Sequence, residues 1–205
     1  MDEAFSVFIE EVGEPMHRQE VPASTIDRYR GKLPDKLLQY WIEHGWCGYG
    51  DGMFWTVNPQ EYDGVVASVL ESANLEKYDR FHLIARGAFG DLYLFGEETG
   101  FSLKIATHIG RYVGRTHELT AIDMDRQVQN FFACRDLDSN DFDEMFEPAK
   151  KNLGILGPDE MYGFVPALVF GGPIRFENLE KLKAIEHLVL LSQLCSIEPY
   201  SFSDF

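Results

Sequence analysis

The chain has 205 residues, 45 % of them apolar and 14 % aromatic, which is enough to bury a core and too much to leave a chain disordered. Its 34 acidic and 18 basic side chains give a formal net charge of −16, a balance that repels nucleic acid and anionic membranes and attracts basic partners. The excess is spread along the chain, with 18 acidic against 9 basic groups in residues 1–105 and 16 against 9 in residues 106–205.

The start, Met1-Asp2-Glu3-Ala4-Phe5, has no basic or apolar signal region. No window approaches about eighteen uncharged apolar residues, so no span of a membrane is expected. Cys47, Cys134 and Cys195 are odd in number and far apart, and read as buried thiols of a reducing compartment. The cytoplasm is the expected location.

In chain order, Phe5, Phe8, Ile9 and Val12 fall at helical spacing, and Gly13 with Pro15 supplies the stop. A second helix is expected from Pro34, with Leu37, Leu38, Trp41 and Ile42 on one side and Gly45 at its end. Trp46 to Val57 is rich in glycine and aromatics and reads as a tight turn running into a strand. The clearest helix follows, with Asn58 as cap, Pro59 in the first position and Glu61 three residues after the cap. Its apolar stripe is Tyr62, Val65, Val66, Val69, Leu70 and Ala73.

Three strands are predicted at Phe81–Ala85, Leu92–Phe95 and Phe101–Ile105, joined by hairpin connections over 87–91 and 96–100. A further strand or two fits within Ile109–Ile122. The pattern then turns helical, over Met124–Ala133, Phe142–Asn152 and a long stretch from about Leu179 to Leu194 capped by Asn178. The expected class is α+β: N-terminal helices with a small, mostly antiparallel sheet, followed by a mainly helical C-terminal part. The composition shift places the boundary between residues 1–122 and 123–205.

The chemistry-bearing residues form few patterns. His17, His44, His82, His108, His117 and His187 never pair at three or four residues' spacing, as local zinc sites require. There is no nucleophile elbow and no phosphate-binding loop, and Gly48-Tyr49-Gly50-Asp51-Gly52 reads as a turn. Carboxylate pairs are abundant, and nothing singles one out for hydrolysis. No catalytic residue, cofactor or metal site is assigned.

One spacing is sharper. Asp136, Asp138, Asn140, Glu144 and Glu147 occupy positions 1, 3, 5, 9 and 12 of a twelve-residue calcium loop. Position 6 is Asp141, where the turn wants glycine, and position 8 is Asp143, where an apolar residue is usual. The alternative is a helix entry capped by Ser139, Asn140 or Asp141, with an acidic first turn favoured by the helix dipole. Phe142, Met145, Phe146 and Ala149 would form its apolar side, and Pro148 would kink or end it.

The N-terminal half carries Leu33-Pro34-Asp35-Lys36-Leu37-Leu38-Gln39-Tyr40-Trp41 leading to Gly45, then Gly52-Met53-Phe54-Trp55-Thr56-Val57-Asn58-Pro59 and Gly90-Asp91-Leu92-Tyr93. These segments resemble the GAD-like domain. The C-terminal half carries Leu153-Gly154, then Glu160-Met161-Tyr162-Gly163-Phe164-Val165-Pro166-Ala167-Leu168, Gly171-Gly172, Asn178-Leu179 and Glu186-His187-Leu188. It resembles the domain that follows the GAD-like domain in immunity proteins of type VI secretion DNase toxins.

The resemblance implies a cytoplasmic inhibitor that is not an enzyme. It would bind a cognate DNase toxin, basic at the interface, and cover its active site or DNA-binding face, without binding nucleic acid or membrane itself. Tyr162, Phe164, Leu168 and Phe170 are expected in the core. The expected partner-binding residues are Asp136, Asp138, Asp141, Asp143, Glu144 and Glu147, with Glu97 and Glu98 on a hairpin turn as second choice. A calcium-responsive binding module and a small carboxylate-dependent hydrolase are the alternative readings.

Overall fold

Asp2 opens the first helix: its carboxylate accepts the Phe5 N–H at 3.1 Å, and α1 (Glu3–Val12) follows with Phe5, Phe8 and Val12 buried. The computed structural model describes residues 2–114 and 120–200. After α1 come β1 (Met16–Gln19), α2 (Ala23–Tyr29), α3 (Asp35–His44), β2 (Trp46–Tyr49), β3 (Phe54–Thr56) and α4 (Asp63–Ala73). The central strands are β4 (Phe81–Gly87), β5 (Asp91–Gly96), β6 (Gly100–Ala106) and β7 (Arg111–Gly114). The remainder comprises α5 (Ala121–Ala133), α6 (Phe146–Leu153), β8 (Glu160–Phe164), β9 (Leu179–Lys183), α7 (Ala184–Leu194) and β10 (Glu198–Pro199).

The sheet is not small. Eight strands run in the order β1-β2-β3-β4-β5-β6-β7-β10, all pairs antiparallel except β7 with β10. The sheet is a middle layer with helices on both faces, and β5 shows this residue by residue. Leu92 and Leu94 join a core with Val65, Val69, Phe146 and Leu188 from α4, α6 and α7. Tyr93 and Phe95 point the other way, into a core with Phe5, Phe8, Trp41, Val128 and Phe132 from α1, α3 and α5. Successive strand residues face opposite sides, so a strand buried on both faces reads as a continuous apolar run.

The C-terminal part is not mainly helical. Leu179, Leu182, Ile185 and Val189 have helical spacing, yet residues 179–183 form β9, paired in full register with β8 from Glu160↔Lys183 to Phe164↔Leu179. The helix begins only at Ala184, and Asn178 does not cap it; its carbonyl accepts the Val165 N–H at 2.7 Å. α6 likewise starts four residues later than its apolar pattern predicts. Asp143 and Glu144 adopt φ of 49° and 58°, which no α-helix passes through. Pro148 then sits in the first turn of α6, where a missing N–H costs nothing, so it neither kinks nor ends the helix.

Other expectations hold in part. The six stripe residues from Tyr62 to Ala73 are all buried and the three hairpin strands lie where predicted, whereas Asn58 caps, through the Gln60 N–H, a 3-10 turn over Pro59–Tyr62 that leads into α4. Within Ile109–Ile122 the strand is β7; His117 lies outside the described residues. Only Cys47 is a buried thiol, whereas Cys134 is exposed and Cys195 half-buried. Tyr162 and Phe164 are core, Leu168 is half-buried, and Phe170 is 50 % exposed.

Candidate partner-binding surface

The acidic segment between α5 and α6 is a folded loop and not a helix entry in one piece. Asp136 accepts the Asp138 N–H at 2.9 Å, and its carbonyl accepts the Ser139 hydroxyl at 2.7 Å. Asn140 is buried: its Nδ2 donates to the Tyr93 hydroxyl at 3.0 Å, anchoring the loop to the sheet. Asp141 accepts the Phe146 N–H at 2.9 Å and so caps α6 from five residues away. Glu147 is engaged by Lys150, which also reaches Asp51 at 2.8 Å; hydrogen bonds to Asp51 and then Glu147 raise the lysine's pKa.

These positions do not form a calcium loop. Asn140 is turned inward, Asp141 is a cap and Glu147 is held by a lysine. Among the described residues, no three His, Cys, Asp or Glu side chains converge on a metal-sized space. What the loop does offer is charge. Among the described residues, Asp136, Asp138, Asp141, Asp143 and Glu144 have no ion-pair partner, and all but Asp141 are exposed.

Glu97 and Glu98 lie at the other end of β5. Phe81 pairs with Gly96 and Arg86 with Leu92, so the 97–98 turn and the 88–90 turn sit at opposite ends of the strand, about 20 Å apart at 3.3 Å per residue. The acidic loop lies toward the 88–90 end, where the Phe142 ring centre is 6.1 Å from that of Phe89, so the structure does not bring the two predicted patches together. The hairpin turn is tied down by Asp79, whose carboxylate accepts the Glu98 N–H at 3.1 Å and the Thr99 N–H at 2.8 Å.

The turn borders a cleft of about 790 Å³ between the end of α2, α4 and the start of β4. Its lining mixes Asp63, Glu71, Glu76, Asp79, Glu97 and Glu98 with Arg28, Lys32, Lys77 and Arg80. On its floor the His82 Nε2 lies 2.8 Å from Glu97 Oε1, and the edge of Tyr29 meets the imidazole at a ring separation of 5.2 Å. Burial, and then the negative charge of Asp63, raise the Tyr29 pKa, so this phenol is neutral.

Asp63 and Glu71 were missed as site residues. Their signal was available: with Ala67 they form an exposed row at four-residue spacing, outside the buried stripe of the helix. Arg86 was missed too. It is 1 % exposed, stacks over Trp55 and donates to the carbonyls of Pro158 and Glu160, both at 2.8 Å. No sequence signal marks an arginine that will be buried against carbonyls.

Residues 3–109 match the GAD-like domain, and residues 125–195 match the T6SS immunity protein Tdi1, C-terminal. No curated protein matches the sequence. The fold is that of the crystal structure of Atu4351 from Agrobacterium tumefaciens, with a TM-score of 0.82 and 22 % identity over 93 % of this chain and 89 % of that one. At that identity the likeness speaks for the fold alone. With the first match spanning more than half of the chain and the second following it, the protein belongs to the GAD-like domain family and carries the C-terminal domain of type VI secretion immunity proteins.

Proposed function

We propose that this chain is a cytoplasmic immunity protein, without enzymatic activity of its own, that binds a DNase toxin stoichiometrically and covers its active site or its DNA-binding face. The reading is supported first by the immunity domain over residues 125–195. The observation that carries the choice of a DNA-degrading partner is the surplus of unpaired surface carboxylates on a chain of net charge −16. A nuclease holds phosphates with positive charge, and a partner dressed in carboxylates complements that charge while occupying its place.

The contact surface in this reading is the loop bearing Asp136, Asp138, Asp141, Asp143, Glu144 and Glu147, with Glu97 and Glu98 at the cleft as a second patch. Residues 1–122 and 123–205 act as one body in it, because both cores contain residues from each segment. The test is co-expression with the product of the neighbouring gene. The chain should restore growth to cells making that toxin and prevent degradation of their DNA. Unrelieved toxicity at equal expression would remove the reading.

A further inference from the structure

Arg135 follows the end of α5, and among the described residues its guanidinium has no carboxylate partner. Its Nε and Nη1 are buried and meet no hydrogen-bond acceptor. The neighbouring Asp136 carboxylate accepts the Asp138 N–H and does not reach them. What holds the group is aromatic: its carbon lies 4.6 Å from the Tyr93 ring centre, 4.8 Å from Phe131 and 5.7 Å from Phe54. Ring faces attract a cation but leave its N–H donors unmet, and buried donors without acceptors call for an explanation.

Arg135 lines an open groove of about 310 Å³ walled by Phe101, Leu103, Lys104 and Val113 together with Tyr93 and Phe131. Phe101 and Phe131 stack at 4.0 Å and 6°, giving the groove one flat apolar wall. Val113 is 44 % exposed. Lys104 also faces Tyr93, at 5.3 Å, but its charge is answered by Asp91 at 3.1 Å. Arg135 is thus the one cation of the groove left unanswered among the described residues.

We propose that this groove is a carboxylate-receiving subsite that takes one acidic side chain, with apolar neighbours, from the protein partner. The proposal rests on the binding function above and adds register to it. A basic partner surface can meet scattered carboxylates in many ways, whereas an acidic residue flanked by apolar ones finds in this groove both a cation and aromatic walls. Arg135 brings a planar fork for the carboxylate once it turns into the groove, and the rings give aromatic walls for what flanks it. Because Nε and Nη1 are turned away from solvent in the free chain, seating the carboxylate goes with a rotamer change of Arg135, of a kind common at interfaces.

The test uses the full chain, labelled with nitrogen-15 and at its methyls, and phenylacetate as probe. Phenylacetate should shift the Arg135 Nε–Hε signal and the Leu103 and Val113 methyls saturably. Neutral phenylacetamide should bind at least about fivefold more weakly, R135Q should lose the difference, and R135K, which keeps the charge without the fork, should keep part of it. Equal shifts by acid and amide, or none by either, would overturn the proposal without reference to any variant's folding. A rise in phenylacetate affinity in E118Q would assign the groove to an acid of the chain itself, outside the described residues, and would also overturn it.

A second arm uses the toxin of the neighbouring gene, to which R135Q should bind at least about tenfold more weakly than the unaltered chain. Equal affinity would overturn the groove as a partner site while leaving the immunity reading intact. If the unaltered chain fails to bind, the immunity reading falls, and the phenylacetate arm still decides whether the groove takes carboxylates.

Discussion

Arg86 donates through Nη2 to the backbone carbonyl of Glu160 at 2.8 Å, so a cation rooted in the N-terminal sheet holds the first residue of the C-terminal hairpin. The same nitrogen reaches the Pro158 carbonyl at 2.8 Å, and Nε donates to the Tyr62 hydroxyl at 3.1 Å. No carboxylate pairs with it among the described residues. The charge is met by carbonyl dipoles and by the Trp55 ring at 5.4 Å. Replacing Arg86 by alanine strands two carbonyls and opens a void. We expect R86A to lower unfolding free energy by about 3 kcal/mol in urea titration. A loss within about 0.5 kcal/mol would mean that the clamp is not structural.

Asp2 is the acid-sensitive point of the N-terminal face. Partial burial pushes its carboxyl up, but hydrogen bonds from the Phe5 N–H, Tyr40, Lys36 and Gln129 outweigh that and hold its pKa at about 2. A carboxylate held below its unfolded value contributes stability that is complete above about pH 4, the unfolded range. That contribution is lost as pH falls through about 2. D2N should therefore flatten the stability profile between those limits, and D2A should cost about 1 kcal/mol at neutral pH through loss of the α1 cap. Calorimetric melting from pH 2 to pH 7 checks both.

His108 and His187 work in a different window. Burial lowers the pKa of both; for His108 the negative charge of Asp91 opposes this and Lys104 reinforces it. The unfolded chain then binds protons that the folded one refuses, so stability falls as pH drops below about 6.5, the unfolded value. H108L should reduce the slope of melting temperature against pH between about 5 and 7. An unchanged slope would show that His108 takes up a proton in the folded protein.

The charged loop should affect association and not folding. Exposed Asp136, Asp138, Asp143 and Glu144 have no ion-pair partners among the described residues. Their joint replacement by amides should leave stability within about 0.5 kcal/mol per site. It should slow capture of the toxin at low salt by at least about tenfold, with the difference shrinking as salt is raised. Stopped-flow association at two ionic strengths measures this.

Much of the layout was legible because local chemistry and tertiary structure agreed. Asn58-Pro59 and the stripe from Tyr62 to Ala73 state a capped amphipathic helix, and packing of α4 against the sheet uses that face. Where they disagreed, the pairing partner decided. Leu179–Lys183 has a helical spacing of leucines but becomes a strand because β8 offers it a full ladder. β1, β2, β3 and β10 are two to four residues long, too short for any periodicity, and with them went the size of the sheet.

The candidate site was legible as composition and not as place. The unpaired carboxylates at 136–144 could be read from the sequence, but the inward turn of Asn140 depends on Tyr93, 47 residues away. The cleft beside Glu97 assembles side chains from α2, α4 and β4, and Arg135 became an unmet cation only when three rings closed around it. Such groupings come from long-range packing, which no local pattern encodes.

The central claim is that this chain silences a DNA-degrading toxin by occupying it, and inhibition titrated against toxin concentration tests it most directly. With the purified product of the neighbouring gene and plasmid DNA, the account predicts that cleavage falls linearly with added chain and stops at one equivalent. The same titration should show no loss of toxin mass and no binding of DNA by the chain. Undiminished cleavage at several equivalents, or inhibition at far less than one equivalent as a catalyst would give, would contradict it.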